Sequence, residues 1–421
     1  MAEPPVELTI DTIGAQGDGV ASWRGEKVYL PFTVPGDRVT AVIDGSRGTV
    51  TRVISPGPTR AAPVCAHFGD CGGCALQHLD AAAYRTWIGD RIAEALARRG
   101  LDSAAIGAPL SVAPGTRRRV RLKALNTGSA ILLGYNRRQT HHLVDILECP
   151  VLVPAIVALL PPLRTVLAKI LRPRQRIEVL VTATDSGLDV VVVAGRPAAA
   201  TDLEALTAFA IECDLARLCW DDDGACETVI GARVPRAVFG GVPVDLPPGA
   251  FLQATREGEE LLSGIVTTAV GSAARVADLY AGCGTFSFAL AKRARVTAFE
   301  AEDQAVAAIG AAAAQAGLTG RFRAAARDLD RFPLSADELA AYDAVVFDPP
   351  RAGARAQAAE LAKSPVPVVV AISCNPATFA RDARLLVDGG YALTAVTPID
   401  QFLWSAHIEL AAVFRKSFHG R

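Results

Sequence analysis

The sequence predicts an α/β protein: a doubly wound C-terminal sheet, preceded by a small β-barrel and an α+β middle region. Three observations carry that expectation. From about residue 246, apolar runs (RVADLY, RVTAFE, AYDAVVFD, PVPVVVAIS, YALTAVTPI, IELAAVFR) alternate with helical segments such as AEDQAVAAIGAAAAQAG and NPATFARDARLLVDGG. Such alternation belongs to a parallel sheet covered by helices. Residues 6–54 instead read as short strands broken by turn residues, and the stretch between is mixed. The expected boundaries are 1–58, 59–245 and 246–421. A length of 421 residues suits two or three domains of about 100–200 residues each.

In the first region the strands are VELTIDTI, GVASW, KVYLPF, RVTAVID and RGTVTRVI, with GAQGDG, RGE, TVPGD and GS between them. Short strands at that density suggest an OB-like barrel. The pattern resembles the TRAM domain, an RNA-binding barrel appended to several RNA-modifying enzymes. SPGPTRAAP then breaks regular structure and serves as a linker.

The middle region opens on a cysteine-rich loop and continues into LDAAAYRTWIGDRIAEALARRG. There Leu79, Ala83, Trp87, Ile88, Ile92 and Leu96 recur at helical spacing until Gly100. From about 111 to 245 the text is strand-like, with helical segments near 154–171 and 202–212.

Net charge is −1 and the pI about 6.6, so the whole chain is not an electrostatic nucleic-acid binder. The charge is uneven, however. No acid stands between Asp102 and Asp145, whereas Arg117, Arg118, Arg119, Arg121, Lys123, Arg137 and Arg138 do. Such a window is either a phosphate-binding surface or a solvated strand face balanced elsewhere. The start, MAEPPVELTID, has neither a basic head nor an apolar stretch, and no long apolar run follows. A cytoplasmic protein, monomeric and free of the membrane, is expected.

Nine cysteines, an odd number unevenly spaced, speak for metal or catalytic roles over a disulfide framework. Cys65, Cys71 and Cys74 form C-x5-C-x2-C, and Cys149 in ILECP could be a fourth ligand. Four thiolates suit tetrahedral zinc or a [4Fe–4S] cluster, and spacing leaves both open. The C-x3-C-x2-C spacing of radical enzymes is absent. His67 and His78 stand close by, but four cysteines suffice. Cys213, Cys219 and Cys226 lack metal-like spacing and read as packing residues.

RVADLYAGCGTFSFALA is a buried strand, a glycine turn and a helix. Gly282 and Gly284 would let a ligand approach the backbone, and Asp278 and Glu300 end successive strands. A glycine turn is shared by dinucleotide and methyl-donor folds. Here the third glycine of the dinucleotide fingerprint is missing, which favours S-adenosylmethionine over NAD. Asp328 follows a third strand, where an acid could face the adenine or cap a helix.

AVVFDPPRAG places Asp348 and Arg351 at the carboxyl end of a fourth strand, and PVPVVVAIS delivers Cys374 at the same edge. Carbon 5 of uracil is a poor nucleophile. A thiolate adding to carbon 6 makes the ring an enolate, so carbon 5 can attack a sulfonium methyl, and a base must then take its proton. Cys374 is the candidate nucleophile and Glu409 in AHIELAAVF the candidate base. A thiol of ordinary pKa near ~8.5 needs positive or donor groups to ionise; Arg351 and the helix starting near Pro376 are candidates. The alternatives are a small buried cysteine and an exposed strand glutamate.

DLYAGCGTFS, FDPPRAG, SCNPATFARD and DQF…HIE, in that order, resemble the RNA uracil-C5 methyltransferase family over nearly the whole chain. The resemblance implies a class I methyltransferase domain, Cys374 as nucleophile and Glu409 as base. It also implies Gln253 (in FLQAT), Tyr280, Thr285, Glu300, Asp328 and Asp348 as S-adenosylmethionine or substrate-pocket residues. CGGC with a later Cys-Pro is similar to the iron–sulfur members, implying that Cys65, Cys71, Cys74 and Cys149 hold a structural [4Fe–4S] cluster, with zinc as second choice. RNA is the expected partner, ribosomal RNA first and the transfer RNA T-loop second. The chain departs from the family at Ala281 and Cys283, at Thr255, and at Leu403, Trp404 and Ser405, which bears on substrate preference. The rivals are a cytosine-C5 methyltransferase, a TRAM-bearing radical methylthiotransferase and a non-catalytic RNA-binding protein.

Overall fold

The computed structural model describes residues 4–102 and 105–416. Its C-terminal sheet has eight strands: Phe322–Ala326, Arg295–Glu300, Arg275–Leu279, Ala344–Phe347, Val368–Ser373, Glu409–Lys416, Tyr391–Asp400 and Leu110–Ser111, in that spatial order. The first five run parallel, and Glu409–Lys416 runs antiparallel to both neighbours. Parallel strands must be buried on both faces, which is why Val345, Val346, Val369 and Val370 are apolar without alternation. Helices Arg256–Val270, Ser287–Ala291 and Asp303–Gln315 cover one face. Helices Ala81–Ala97, Arg355–Lys363 and Pro376–Asp388 cover the other.

Strand order reverses between Arg275–Leu279 and Ala344–Phe347, which pair directly. Loops leaving the two strands diverge, and a crevice opens at their carboxyl ends. Asp348 and Cys374 both lie there, each directly after its strand.

Helix Ala81–Ala97 departs from the expected organisation. Its Trp87, Ile88, Ile92 and Leu96 pack with Phe379, Leu386 and Val396 of the C-terminal layer, not with the middle sheet. The chain after it adds Leu110–Ser111 to the C-terminal sheet. An apolar stripe shows that a helix is half-buried, but not which sheet buries it.

The middle sheet has seven strands, Leu143–Asp145, Ile131–Asn136, Arg119–Asn126, Arg176–Thr184, Gly187–Val193, Arg217–Asp222 and Ala225–Gly231. Helices Pro154–Ile170 and Ala200–Glu212 pack on one face, close to the segments expected. The first keeps Pro161 and Pro162 inside it, at a helix-propensity cost of about 3 kcal/mol per proline. Burial of Ile156, Leu159, Leu160, Leu163, Val166, Leu167 and Ile170 offsets that cost.

The N-terminal region forms a six-stranded sheet around Leu8, Ile10, Ala21, Val28, Leu30, Val39 and Ala41. The run read as one strand, VELTIDTI, is two. Val6–Thr9 pairs with Arg38–Asp44, and Thr12–Ile13 pairs with Gly19–Trp23. The Ile10 amide donates to Asp37 O, and the Asp11 amide to Val20 O. The strand changes partners there, a bend that a period-2 pattern does not record.

Candidate active site

Ser373 and Leu410 are the last paired residues of two antiparallel strands. Cys374 directly follows the first strand and Glu409 begins the second, so both side chains come to the same sheet edge, close enough for the carboxylate charge to act on the thiol. Both line a cavity of about 740 Å³, together with Gln253, Tyr280, Gly282, Glu300, Asp328, Asp348 and Arg351. The structure therefore gathers every candidate pocket residue except Thr285. That residue lines a separate cavity between helices Arg256–Val270 and Ser287–Ala291. The turn carries Thr285 past the crevice, a direction that sequence spacing does not encode.

The glycine turn is built unevenly. Gly282 has φ +53° and open space where a Cβ would lie, and its amide donates to Glu300 Oε2 at 2.8 Å. Gly284, at φ +89°, would place a Cβ 2.6 Å from Phe288 Cε2. The first glycine serves approach to the cavity; the second serves packing. Tyr280 is itself left-handed (φ 61°), and its hydroxyl donates to Asp330 at 3.1 Å. Asp328 accepts the amides of Asp330 and Arg331, so it orders its own loop while lining the cavity.

SCNPATFARD acts mainly on the loop before it. Asn375 caps helix Pro376–Asp388 by accepting the Ala377 amide, and it donates to Arg351 O at 3.3 Å. Thr378 donates to the same carbonyl, Arg381 to Ala352 O at 3.0 Å, and Asp382 accepts the Ala354 amide at 2.8 Å. A Cβ at Gly353 (φ +78°) would meet Arg381 and Asp382 at 2.6 Å. Four side chains from the cap and first two turns of one helix thus buckle DPPRAG against the nucleophile strand.

Deep in the cavity, polar groups form a chain. Gln253 Nε2 donates to Asp348 Oδ2 at 2.9 Å, and Gln401 Nε2 donates to Gln253 Oε1 at 2.8 Å and to Glu409 Oε2 at 2.9 Å. Burial, with Asp348 adding its charge, pushes the Glu409 carboxyl up to about 8. Burial raises Asp348 and Asp278 to about 7 each. Groups of this kind hold protons near neutral pH.

The Cys374 thiol differs from expectation. Burial, then the charges of Glu409 and Asp348, push it up to about 11, and Arg351 opposes them only in part. In the free protein the thiol is protonated at neutral pH.

Cys374, Arg121, Arg351 and Phe402 also line a second cavity of about 460 Å³. Arg117, Thr116 and His407 complete its near wall, and Cys65, Cys71, Cys74 and Cys149 its far wall. The Arg117 guanidinium lies 5.7 Å from the centroid of Phe402, and Arg119 lies 5.2 Å from that of Phe251. Arg119 Nε is buried without a hydrogen-bond partner. The basic window is thus partly site and partly structure, since Arg118 is buried in an ion pair with Glu259 and Arg121 pairs with Glu178.

All four expected ligand cysteines share this cavity wall. Burial raises Cys71, Cys74 and Cys149, Cys74 to about 12, and each is raised further by its cysteine neighbours. Among the described residues, no group of three or more His, Cys, Asp or Glu stands in an arrangement that could hold a metal ion. The donor set, four soft thiols, is nonetheless one that suits a soft metal centre. His67 accepts the Leu147 amide, and His78 is buried against Thr33 O with its pKa lowered to about 4 by desolvation. Cys219 packs beside Thr228 in the middle sheet, as its spacing implied.

Sequence reasoning missed Gln401 and Tyr84 here, and it named Trp404 only as a departure from the family. Gln401 joins Gln253 to Glu409. Tyr84 donates to Asp400 at 2.8 Å and accepts the Trp404 amide at 2.9 Å. Trp404, left-handed at φ 57°, offers its carbonyl to the amides of Ala75 and Leu76. The active-site loop is thereby tied to the residues directly after Cys74. Only the DQF motif hinted at Gln401, and nothing local flagged Tyr84.

The family model described as tRNA (Uracil-5-)-methyltransferase matches residues 248–417. An uncharacterized RNA methyltransferase of Brucella suis is 46% identical over 411 residues, covering 97% of this chain and 98% of that protein. A 23S rRNA (uracil(1939)-C(5))-methyltransferase of Halomonas elongata is 34% identical, covering 96% of this chain and 88% of that protein. Among solved structures, the Pyrococcus abyssi tRNA (uracil-54, C5)-methyltransferase, in complex with S-adenosyl-L-homocysteine, superposes with a TM-score of 0.75 at 22% identity. It covers 97% of this chain and 100% of that one, and at that identity the likeness shows the fold.

Proposed function

Because the chain belongs to the RNA uracil-C5 methyltransferase family, we propose that it methylates carbon 5 of a uridine in 23S ribosomal RNA through a Cys374–uracil adduct. The observation that carries this reading is the meeting of thiol and carboxylate: Cys374 and Glu409, next to the last strand pair Ser373–Leu410, line one cavity and interact electrostatically.

In this reading the Cys374 sulfur bonds to carbon 6 and the ring becomes an enolate. S-adenosylmethionine would supply an electrophilic methyl, which carbon 5 takes as the carbon–sulfur bond breaks and S-adenosylhomocysteine leaves. Glu409 then accepts the carbon-5 proton, the double bond re-forms, and the thiolate leaves. Gln253, Tyr280, Glu300, Asp328 and Asp348 would hold the methyl donor and the uracil. A thiol raised to about 11 means that proton removal from Cys374 accompanies substrate binding, and Arg351 is the cation placed to favour it. Cys65, Cys71, Cys74 and Cys149 would hold a [4Fe–4S] cluster that shapes the second cavity and takes no part in the chemistry. The ribosomal target rests on the 34% identical Halomonas elongata relative, with the transfer RNA T-loop as second choice.

Methyl transfer to ribosomal RNA by wild type and by Cys374→Ala tests the mechanism. Loss of incorporation in the variant supports it, and equal incorporation sinks the nucleophile. Mapping of 5-methyluridine in ribosomal and transfer RNA from a strain lacking the gene decides the target. An anaerobic absorption spectrum with iron and zinc counted decides the metal, since colourless protein with stoichiometric zinc removes the cluster.

A further inference from the structure

Gln401 is 1% exposed, yet its Oε1 makes no hydrogen bond. Its Nε2 makes two, to Gln253 Oε1 and to Glu409 Oε2. Turning the amide over would set its oxygen against both of these acceptors, so only this orientation offers the Glu409 carboxylate a donor. A buried orphan acceptor is costly and persists where a function holds it. The backbone leaves room for this amide at one place. A Cβ at Gly258, in the first turn of helix Arg256–Val270, would lie 2.7 Å from Gln401 Oε1 and 3.0 Å from its Cβ. On the other side, Asp400 is held by the Tyr84 hydroxyl. Gln401 is thus gripped from three directions, with its one free choice, the amide face, directed at Glu409.

We propose that Gln401 is the positioning residue for the base: it holds the Glu409 carboxylate in place for the carbon-5 proton and ties it through Gln253 to Asp348. This inference rests on the uracil-C5 reading of the site. Asp348 and Cys374 are the titratable groups that interact electrostatically with Glu409, Asp278 lies beyond Asp348, and Arg351 acts on Cys374. Behind Gln253 stands the Arg118–Glu259 ion pair, with Arg118 donating to the Gln253 carbonyl at 3.1 Å. Within this set Gln401 is the donor that favours the ionised form of Glu409, whereas burial and Asp348 oppose it. Removing the amide leaves the base both less ionised and free to swing. Addition of Cys374 to carbon 6 and transfer of the methyl do not use Glu409, so the defect falls on the last step.

Gln401→Met keeps the length and removes the donor. In single turnovers, methyl transfer to RNA should stay within twofold of wild type. Release of methylated RNA should slow at least tenfold, with a denaturant-stable protein–RNA adduct accumulating. Gly258→Ala, whose methyl would press on Gln401 Oε1 at 2.7 Å and on the Thr255 hydroxyl at 2.9 Å while leaving every polar group of the chain in place, should do the same to a smaller degree. Infrared titration of the carboxyl band assigned by Glu409→Gln needs no RNA, and its midpoint should move to higher pH in Gln401→Met. The proposal is overturned if release stays within twofold and no adduct builds up. It is equally overturned if transfer and release fall together while the infrared midpoint stays put, which is the signature of a merely structural residue. Wild-type protein that methylates no RNA defeats the functional reading instead, and the infrared titration still decides what Gln401 does to Glu409.

Discussion

The two cavities that meet at Cys374 differ in charge balance. One is lined by Glu300, Glu302, Asp328, Asp330, Asp348 and Glu409 against Arg119 and Arg327, the other by Arg117 and the cysteine loop against Glu148, with Arg121 and Arg351 bordering both. The difference sorts ligands by charge: a cationic sulfonium is drawn to the acidic side and a polyanion to the basic side. It is also a difference in construction. The acidic cavity is made chiefly at strand ends of one sheet, while the basic one is assembled from residues 65–77, 112–151, 255, 351, 374 and 401–407. The first is a property of the fold and the second of how distant segments are tied together.

That contrast can be broken most severely at Cys374, one of four residues common to both sides. Cys374→Ala should abolish methyl transfer, and Glu409→Gln should lower turnover by about 10²–10⁴-fold, the usual worth of a general base, while trapping an adduct seen on denaturing gels. Next in size is the basic side. Arg117→Ala should raise KM for RNA and flatten the salt dependence of binding by about one unit of slope, and binding of S-adenosylhomocysteine, measured by calorimetry, should not change. Cys74→Ser should act in the same sense, several-fold in KM for RNA, because Ala75 and Leu76 hold the Trp404 carbonyl. Tyr84→Phe removes two hydrogen bonds from the same tie and should cost about 1–3 kcal/mol in denaturant unfolding.

The smallest effect sharpens the acidic side. Asp278 folds with its carboxyl raised from 3.8 to about 7 by burial. The folded state then binds the extra proton, so this stability is complete below the unfolded value and is lost as pH rises towards the folded one. Asp348 and Glu409 act in the same sense, to about 7 and about 8. Unfolding temperature should therefore fall as pH rises from about 4 to about 7, with only Glu409 still contributing towards 8, and Asp278→Asn should flatten that fall. Turnover moves the other way, rising with pH as Glu409 and Cys374 lose protons, which a pH–rate profile checks.

Much of this site was legible because its parts are local. A strand ending in an acid, a glycine turn and a cysteine after VVVAIS are each short-range patterns, and a parallel sheet brings strand ends together whatever the loops do. SCNPATFARD was readable as a motif but not as a mechanism, since its grip on DPPRAG is a contact between two strand-end loops. Thr285 sat in the right turn and points into another cavity. Helix Ala81–Ala97 had a readable stripe and an unreadable partner. Gln401 and Tyr84 matter through contacts spanning 148 and 320 positions, which no window of sequence contains.

By itself, then, the sequence determined the doubly wound sheet, the candidate nucleophile and base, and the four thiols, because periodicity and residue chemistry are written within a few positions. Only the tertiary structure decided that Cys374 and Glu409 meet at one cavity and that burial, with the acids beside it, raises the thiol's pKa. It alone decided that one glutamine joins base to pocket and that the cysteine loop leans on the active-site loop. Those outcomes depend on register, burial and the meeting of distant segments. They are properties of the packed chain and not of any stretch of it.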